Sequence, residues 1–354
     1  MSLIAPTNIK SKSIFLIHTP YQTSFAFDLI VHLKIRNTTI FCEGKSVLEL
    51  ATAALSQMGA YAKGISLVEI NLIKPQNIGR ESFTLMQENI AKLHKEIASS
   101  PHEHTHLYIS DINWPTNNYA FFNLSKQIQF SLFEDGIGNY LALKKNKREI
   151  CRGIIRYALS AVNLAPKFTP YLGEKMGGEQ PRIHAQYLRA PRLCNSKATS
   201  IETPIRTEKK YNIKIPNNSF IFLDQPYAKL IGVEKYKSNV EAILSEHHSL
   251  GYQLYIKQHH FSSSDIISNS LTEKIQTLPN HTPIEEFEIG ENTVFCSFNS
   301  SALFNLKLIH KNKTKCISIL LKESMASTGS SQKTIEILKS KYLEAGVDIC
   351  ERTN

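Results

Sequence analysis

Two periods of hydrophobicity alternate along the chain. Apolar runs of strand length, Ser13–His18, Thr38–Cys42, Ile65–Ile70, His106–Asp111 and Gln127–Phe133, are separated by stretches with apolar residues at helical spacing. Those stretches are Gln22–Leu33, Val47–Gln57, Glu81–Ala98 and Tyr119–Lys126. Strands that alternate with helices need crossover connections and predict a mainly parallel sheet. A basic run, Lys144-Lys145-Asn146-Lys147-Arg148, opens a further predicted helix through Val162. From Asn163 to about Tyr211 the periodicity stops. Pro166, Pro170, Gly173, Gly177, Gly178, Pro181, Pro191 and Pro204 punctuate that region, which reads as surface loops and an interdomain connection.

The alternation then restarts, with strands at Ser219–Leu223, Tyr252–Lys257, Thr293–Phe298 and Lys315–Leu321. Helices are expected at Lys237–His247, Ser301–Ile309 and Lys333–Glu344, and a short acidic segment at Ile284–Gly290. The expected class is α/β, with two facing Rossmann-like domains at residues 1–205 and 206–354. The last helix is free to pack back on the first domain.

The composition fits a well-cored globular chain: 354 residues, 42% hydrophobic and 20% charged. Lys and Arg number 41 against 31 Asp and Glu, a net charge of +10, which suits anionic partners such as nucleotide phosphates, nucleic acid or a membrane surface. No stretch approaches the ~20 apolar residues of a membrane span. Met1 to Ser13 lacks the apolar core of a signal peptide. Six scattered cysteines without a paired spacing read as reduced thiols, and a cytoplasmic location is expected.

Candidate chemistry sits where predicted strands run out, the edge at which open α/β sheets hold ligands. Glu134-Asp135-Gly136 follows the strand ending at Phe133. An Asp-Gly pair is a common turn, but adjacent carboxylates at a strand end also raise one another's pKa, which suits a base near neutral pH. Asp135 is the expected base, with Glu134 in support. Lys257-Gln258-His259-His260 ends another strand. These residues either solvate a loop or place an imidazole donor on a phosphate oxygen. Ser300-Ser301 opens an apolar helical run as a cap, and a helix N-terminus with two hydroxyls also suits a phosphate. Glu285, after Pro283, is either a partner for a helix dipole or an acceptor for ribose hydroxyls. No metal-ligand spacing is present, and neither metal nor cofactor is expected.

Taken together, these marks resemble the bacterial sialyltransferases of the lipooligosaccharide type (glycosyltransferase family 52) and the related capsule polysialyltransferases. The resemblance begins with Thr19-Pro20-Tyr21-Gln22 and continues through Phe133-Glu134-Asp135-Gly136-Ile137-Gly138-Asn139 and Leu223-Asp224-Gln225-Pro226. It extends over Lys257-Gln258-His259-His260, Pro283-Ile284-Glu285 and Phe298-Asn299-Ser300-Ser301. His260 stands where the family has proline, Glu134 where aspartate is frequent, and Tyr227 where some members carry an acid. The resemblance implies a glycosyltransferase-B fold with acceptor and base on the first domain and the CMP-sugar donor on the second. It implies Asp135 as base, His259 as phosphate-binding or acid group, Ser300 and Ser301 on the phosphate and Glu285 on the ribose. Thr19, Tyr21 and Gln22 would belong to the acceptor side, and Gln225, Pro226 and Lys257 to the donor side.

The expected function is therefore inverting, metal-independent transfer of sialic acid from CMP-sialic acid to a galactose- or sialic-acid-terminated surface glycan, such as lipooligosaccharide or capsule, on a lipid-linked acceptor. Transfer of another CMP-activated nonulosonic acid, legionaminic, pseudaminic or Kdo-type, is the near alternative, because the motifs read CMP. A nucleic-acid-binding protein is the rival from another class, but no recognition motif supports it. A non-catalytic glycan-binding relative is disfavoured by the intact Asp135 and His259. A homodimer is compatible with the sequence. For the run Lys144–Arg148 two readings stay open, a solvated helix face and peripheral contact with anionic inner-membrane lipid.

Overall fold

The structure, a computed structural model, describes residues 11–73, 77–99, 104–196, 198–205, 213–259, 272–280 and 282–351. It divides into two compact units, Met1–Lys209 and Lys210–Asn354. In the first, strands β1 (Ser11–Ile17), β2 (Thr38–Glu43), β3 (Ile65–Ile70), β4 (His104–Ile109), β5 (Gln129–Phe133), β6 (Ile183–Leu188) and β7 (Ser200–Glu202) form one sheet. Its order is β3-β2-β1-β4-β5-β6-β7, and every neighbouring pair is parallel.

A central parallel strand is covered on both faces, which is why Ile14, Phe15, Leu16 and Ile17 are fully buried. Their alternation divides the core. Phe15 and Ile17 pack with Phe25, Leu29, Ile40 and Tyr108 on one face, while Ile14 and Leu16 pack with Phe41, Leu107 and Ile109 on the other. The helix after β1, Pro20–His32, starts where both of its N-terminal signals coincide. Thr19 Oγ1 accepts from the Gln22 amide at 3.2 Å, and Pro20 occupies the first turn.

Two expectations for this unit need correction. The region from Asn163 to Tyr211 is not loop throughout, since it supplies β6 and β7. Polar His184 and Gln186 interrupt the apolar pattern of β6, yet Gln186 is buried and its Nε2 donates to the Asn139 carbonyl at 3.2 Å. The helix expected at Tyr119–Lys126 lies at Pro115–Asn123. Its first turn buries Thr116, Asn117 and Asn118, so its inward face is polar where periodicity looks for apolar residues.

The second unit contains β8 (Lys214–Ile215), β9 (Ser219–Leu223), β10 (Gln253–Lys257), β11 (Ile275–Leu278), β12 (Glu288–Ile289), β13 (Thr293–Ser297), β14 (Thr314–Ile319) and β15 (Asp348–Cys350). Six form a parallel sheet of order β11-β10-β9-β13-β14-β15, and β8 pairs with β12. The last helix, Gln332–Ala345, packs on helices Leu321–Ser327 and Ser301–His310 and on β15. Both large sheets wind identically, with the first strand central, the next two to one side and the later ones to the other. This is the Rossmann winding, and a chain with two such units is consistent with the glycosyltransferase-B class. Strand order reverses between β1 and β4 and again between β9 and β13, so the carboxyl ends of these strands are the places to look for ligand chemistry.

Candidate active site

In the first unit, β5 hands its chain to a turn in which the two carboxylates part company. Glu134 is fully buried. The hydroxyl of Tyr21 donates to its Oε1, and the Tyr140 hydroxyl and the Arg189 amide donate to its Oε2. Burial raises its pKa against those hydrogen bonds. With three donors on two oxygens, Glu134 fixes the turn.

Asp135 is half-buried. Gln22 Nε2 donates to its Oδ1, Thr19 Oγ1 lies 3.5 Å from the same atom, and the Asp135 amide donates to Asn139 Oδ1 at 2.7 Å. Both side-chain contacts fall on Oδ1, so Oδ2 is without a protein donor among the described residues. Burial raises the Asp135 carboxyl to about 7, with the nearby Asp111 adding to the rise and Gln22, His18 and Thr19 opposing it. The expectation that Glu134 raises its neighbour is replaced by burial and Asp111. Gly136 sits at φ +104, a conformation that side chains other than glycine rarely adopt, and it lets the chain turn into the short helix Gly138–Leu141.

Gln22 ties this turn to β1, since its Oε1 accepts from the His18 amide at 2.7 Å while its Nε2 holds Asp135. His18 is itself buried between two acceptors, Glu43 Oε2 at Nδ1 and Asn117 Oδ1 at Nε2, the latter at 3.0 Å. Burial disfavours its charge, but Glu43 and Asp111 outweigh burial and its pKa is raised. Asp111, just past β4, accepts from the amides of Asn113 and Trp114. It borders a cavity of about 240 Å³ whose wall includes Trp114, Lys145, Arg152, Arg156 and Lys175. Trp114 Nε1 is a buried donor with no partner among the described residues. Burial pulls Lys145 down to about 8 against the pull of Asp111 and Glu149. The cavity is thus bordered by a surplus of donors and suits an anionic group.

In the second unit, β10 and β13 flank β9. Asp224, just past β9, accepts from the Tyr236 hydroxyl at Oδ1 and from the His259 amide at Oδ2, the latter at 3.4 Å. This pins the start of the histidine loop. Burial, then Lys257, lowers the His259 pKa, so the ring is neutral at pH 7. Lys257 donates to the Asn280 carbonyl at 2.9 Å, and burial brings it down to about 8. Ser300 is buried and caps the ten-residue helix Ser301–His310 by accepting from the Ala302 amide at 3.3 Å. Ser301 is exposed at the first position of that helix. Glu285 is buried and accepts from Asn305 Nδ2 at 2.9 Å. The Gln225 amide donates to the Tyr236 hydroxyl at 3.2 Å, and Pro226 is exposed. His260 lies outside the described residues.

The candidates thus fall into two groups, each at the carboxyl edge of its own sheet. Thr19, Tyr21, Gln22, Glu134 and Asp135 form one; Gln225, Lys257, His259, Glu285, Ser300 and Ser301 lie at the other. Sequence reasoning missed His18, Glu43, Asp111 and Arg189. Asp111 and His18 were legible as the last residues of predicted strands, but Glu43 and Arg189 carry no local signal. Among the described residues no group of three His, Cys, Asp or Glu side chains is arranged to hold a metal ion.

The family profile described as Alpha-2,8-polysialyltransferase (POLYST) matches residues 13–318, a span that runs across both units and both groups. Among curated proteins none matches in sequence. Two solved structures are similar over most of the chain. UDP-GlcNAc 2-epimerase from Methanocaldococcus jannaschii is 8% identical with a TM-score of 0.46, covering 94% of this chain and 92% of that one. UDP-GlcNAc 2-epimerase from Neisseria meningitidis, bound to UDP-GlcNAc, is 11% identical with a TM-score of 0.46, covering 96% and 95%.

Proposed function

The chain belongs to the alpha-2,8-polysialyltransferase family, and we propose on that footing that it moves sialic acid from CMP-sialic acid to a glycan hydroxyl with inversion, using Asp135 as the base. The observation that carries this role is the environment of Asp135. Its carboxyl is raised to about 7, it is oriented through Oδ1 alone, and it stands past β5 beside the reversal of strand order. A base with that pKa is half deprotonated near neutral pH and still basic enough to take a proton in the transition state.

In the reaction, the acceptor oxygen attacks the anomeric carbon of the sialyl group as its proton passes to Asp135. The bond from that carbon to the phosphate oxygen breaks, and CMP leaves with the electron pair. His259, neutral and N–H bearing, donates to the phosphate, together with the Ser300 and Ser301 hydroxyls and the N-terminus of their helix. Glu285 accepts from the ribose, Lys257 adds positive charge, and Gln225 and Pro226 shape the edge beside them. These donors serve a monophosphate leaving group without a divalent metal. Thr19, Tyr21 and Gln22 hold the acceptor side of the site in register. The cationic cavity beside Asp111 accommodates a carboxylate of an anionic, lipid-linked acceptor. The chain would act at the cytoplasmic face of the inner membrane.

The test is turnover of CMP-sialic acid with a sialylated oligosaccharide, following CMP release and product linkage, with CMP-activated legionaminic, pseudaminic and Kdo donors run alongside. Product from CMP-sialic acid in the wild type and its loss in Asp135→Asn supports the reading. Product only from another donor moves the sugar, and undiminished turnover in Asp135→Asn removes the base.

A further inference from the structure

Helix Lys147–Ala161 is set into its unit the wrong way round for a water-facing surface. The buried side carries Gly153 and Arg156, and Arg156 donates to the Asn77 carbonyl at 2.9 Å. Glu149, Arg152 and Arg156 border the cavity. The apolar side looks out: Ile154 is 53% exposed, Ile155 48% and Tyr157 53%, and beyond the helix end Val162 is 62% and Leu164 67%. Of the twelve large apolar side chains exposed among the described residues, six lie between Ile154 and Leu172, so this is a concentrated patch.

Along residues 144–172 the exposed charge has one sign. Lys144, Lys147, Arg148 and Lys167 are exposed. The sole acid from residue 144 to 172 is Glu149, and it is engaged by Lys175 at 2.8 Å and by the Asn146 amide of its capping box. An apolar ridge rimmed by unopposed cations fits a surface that is oily beneath and anionic on top. A second copy of the chain fits less well, because a self-complementary contact would bring together two segments whose exposed charges are all positive.

We propose that helix Lys147–Ala161 and the segment through Leu172 form a docking surface for an anionic lipid bilayer, with the helix lying in the plane of the interface. Ile154, Ile155, Tyr157, Val162 and Leu164 enter the boundary between headgroups and acyl chains, and the exposed lysines and Arg148 meet the headgroups. The inward polar side of the same helix walls the cavity beside Asp111, so docking would set that cavity next to the membrane surface. The inference stands apart from the transferase reading, since lipid binding requires no turnover.

The experiment is co-sedimentation of the full chain with vesicles of phosphatidylcholine containing about a third phosphatidylglycerol, against phosphatidylcholine alone. The wild type should bind the anionic vesicles only, and about 0.5 M salt, which cuts the screening length to a few ångströms, should release it. Ile154→Ser with Ile155→Ser should weaken binding at least roughly tenfold through lost apolar burial. Lys147→Gln with Arg148→Gln should weaken it about thirtyfold, at roughly fivefold per charge. Thermal melts confirm that these exposed substitutions leave the fold intact. Transfer to a soluble oligosaccharide should be unchanged in both variants, and a wild type inactive in that assay would overturn the transferase reading while leaving docking standing. Binding of either variant at the wild-type level overturns the proposal. So does a wild type that ignores vesicles or binds neutral ones equally. A wild-type dimer by light scattering that Ile154→Ser with Ile155→Ser turns into monomer would assign the face to a second copy instead.

Discussion

Replacing Asp135 by Asn keeps the oxygen that Gln22 and Thr19 address and removes the ability to take up a proton. Turnover should fall on the order of 10²–10⁴-fold while CMP binding survives. The same change should make the protein more stable at alkaline pH. The carboxyl rises from 3.8 to about 7, roughly three units, which in a sealed site would be about 4 kcal/mol against the charged form. The side chain is only half-buried, and solvent screening brings that to about 2 kcal/mol. The folded pKa lies above the unfolded one, so the native chain keeps this proton longer. Wild-type stability from this group is whole below about pH 4 and declines as pH climbs to about 7. Asn carries no such decline. By calorimetry the variant should match the wild type near pH 4 and melt roughly 4–8 °C higher at pH 8, taking ~2–4 °C per kcal/mol for a unit of this size. A variant less stable than the wild type at pH 8, or one with near-normal turnover, would refute the reasoning.

Gln22→Ala removes a hydrogen bond that holds the Asp135 pKa down, so the acid limb of the pH–rate profile should shift to higher pH; an unmoved limb would detach Asp135 from the rate. His259→Ala, and Ser300→Ala with Ser301→Ala, should each weaken CMP binding, and combining them should cost less than the sum because they grip one phosphate. Calorimetric titration decides this, and full additivity would separate the two elements. Transfer should persist in excess EDTA, whereas loss restored by Mg²⁺ or Mn²⁺ would call for metal-assisted departure of CMP.

The class of the fold was legible because β1, β2 and β9 are buried on both faces and carry the short apolar runs Ile14–Ile17, Ile40–Cys42 and Phe220–Leu223. The carboxylate turn and the Ser300 cap were legible because turns and caps are made by neighbours in sequence. β6 was not, since buried Gln186 is satisfied by the Asn139 carbonyl, a partner that local pattern cannot reveal. The pairing of His18 with Glu43 escaped for the same reason, as did the holding of Glu134 by Arg189 across 55 residues. The sequence marked a helix from the basic run through Val162 but not its orientation. Which side is buried depends on what it packs against, here Phe168 and Pro170 beneath Gly153.

Arg189 holds two things at once. Its amide grips Glu134, the anchor of the carboxylate turn, while its guanidinium pairs with Asp28 and donates to the carbonyls of Thr203 and Pro204 at 3.0 and 2.8 Å. Those carbonyls lie a few residues before the chain leaves the first unit. The root of the connector is therefore riveted to the turn that carries Asp135, and a pull on the connector reaches that turn through one residue. Arg189→Lys keeps the amide grip and gives up the fork, so it would leave the turn in place while loosening the root, separating the mechanical hold from the chemical one.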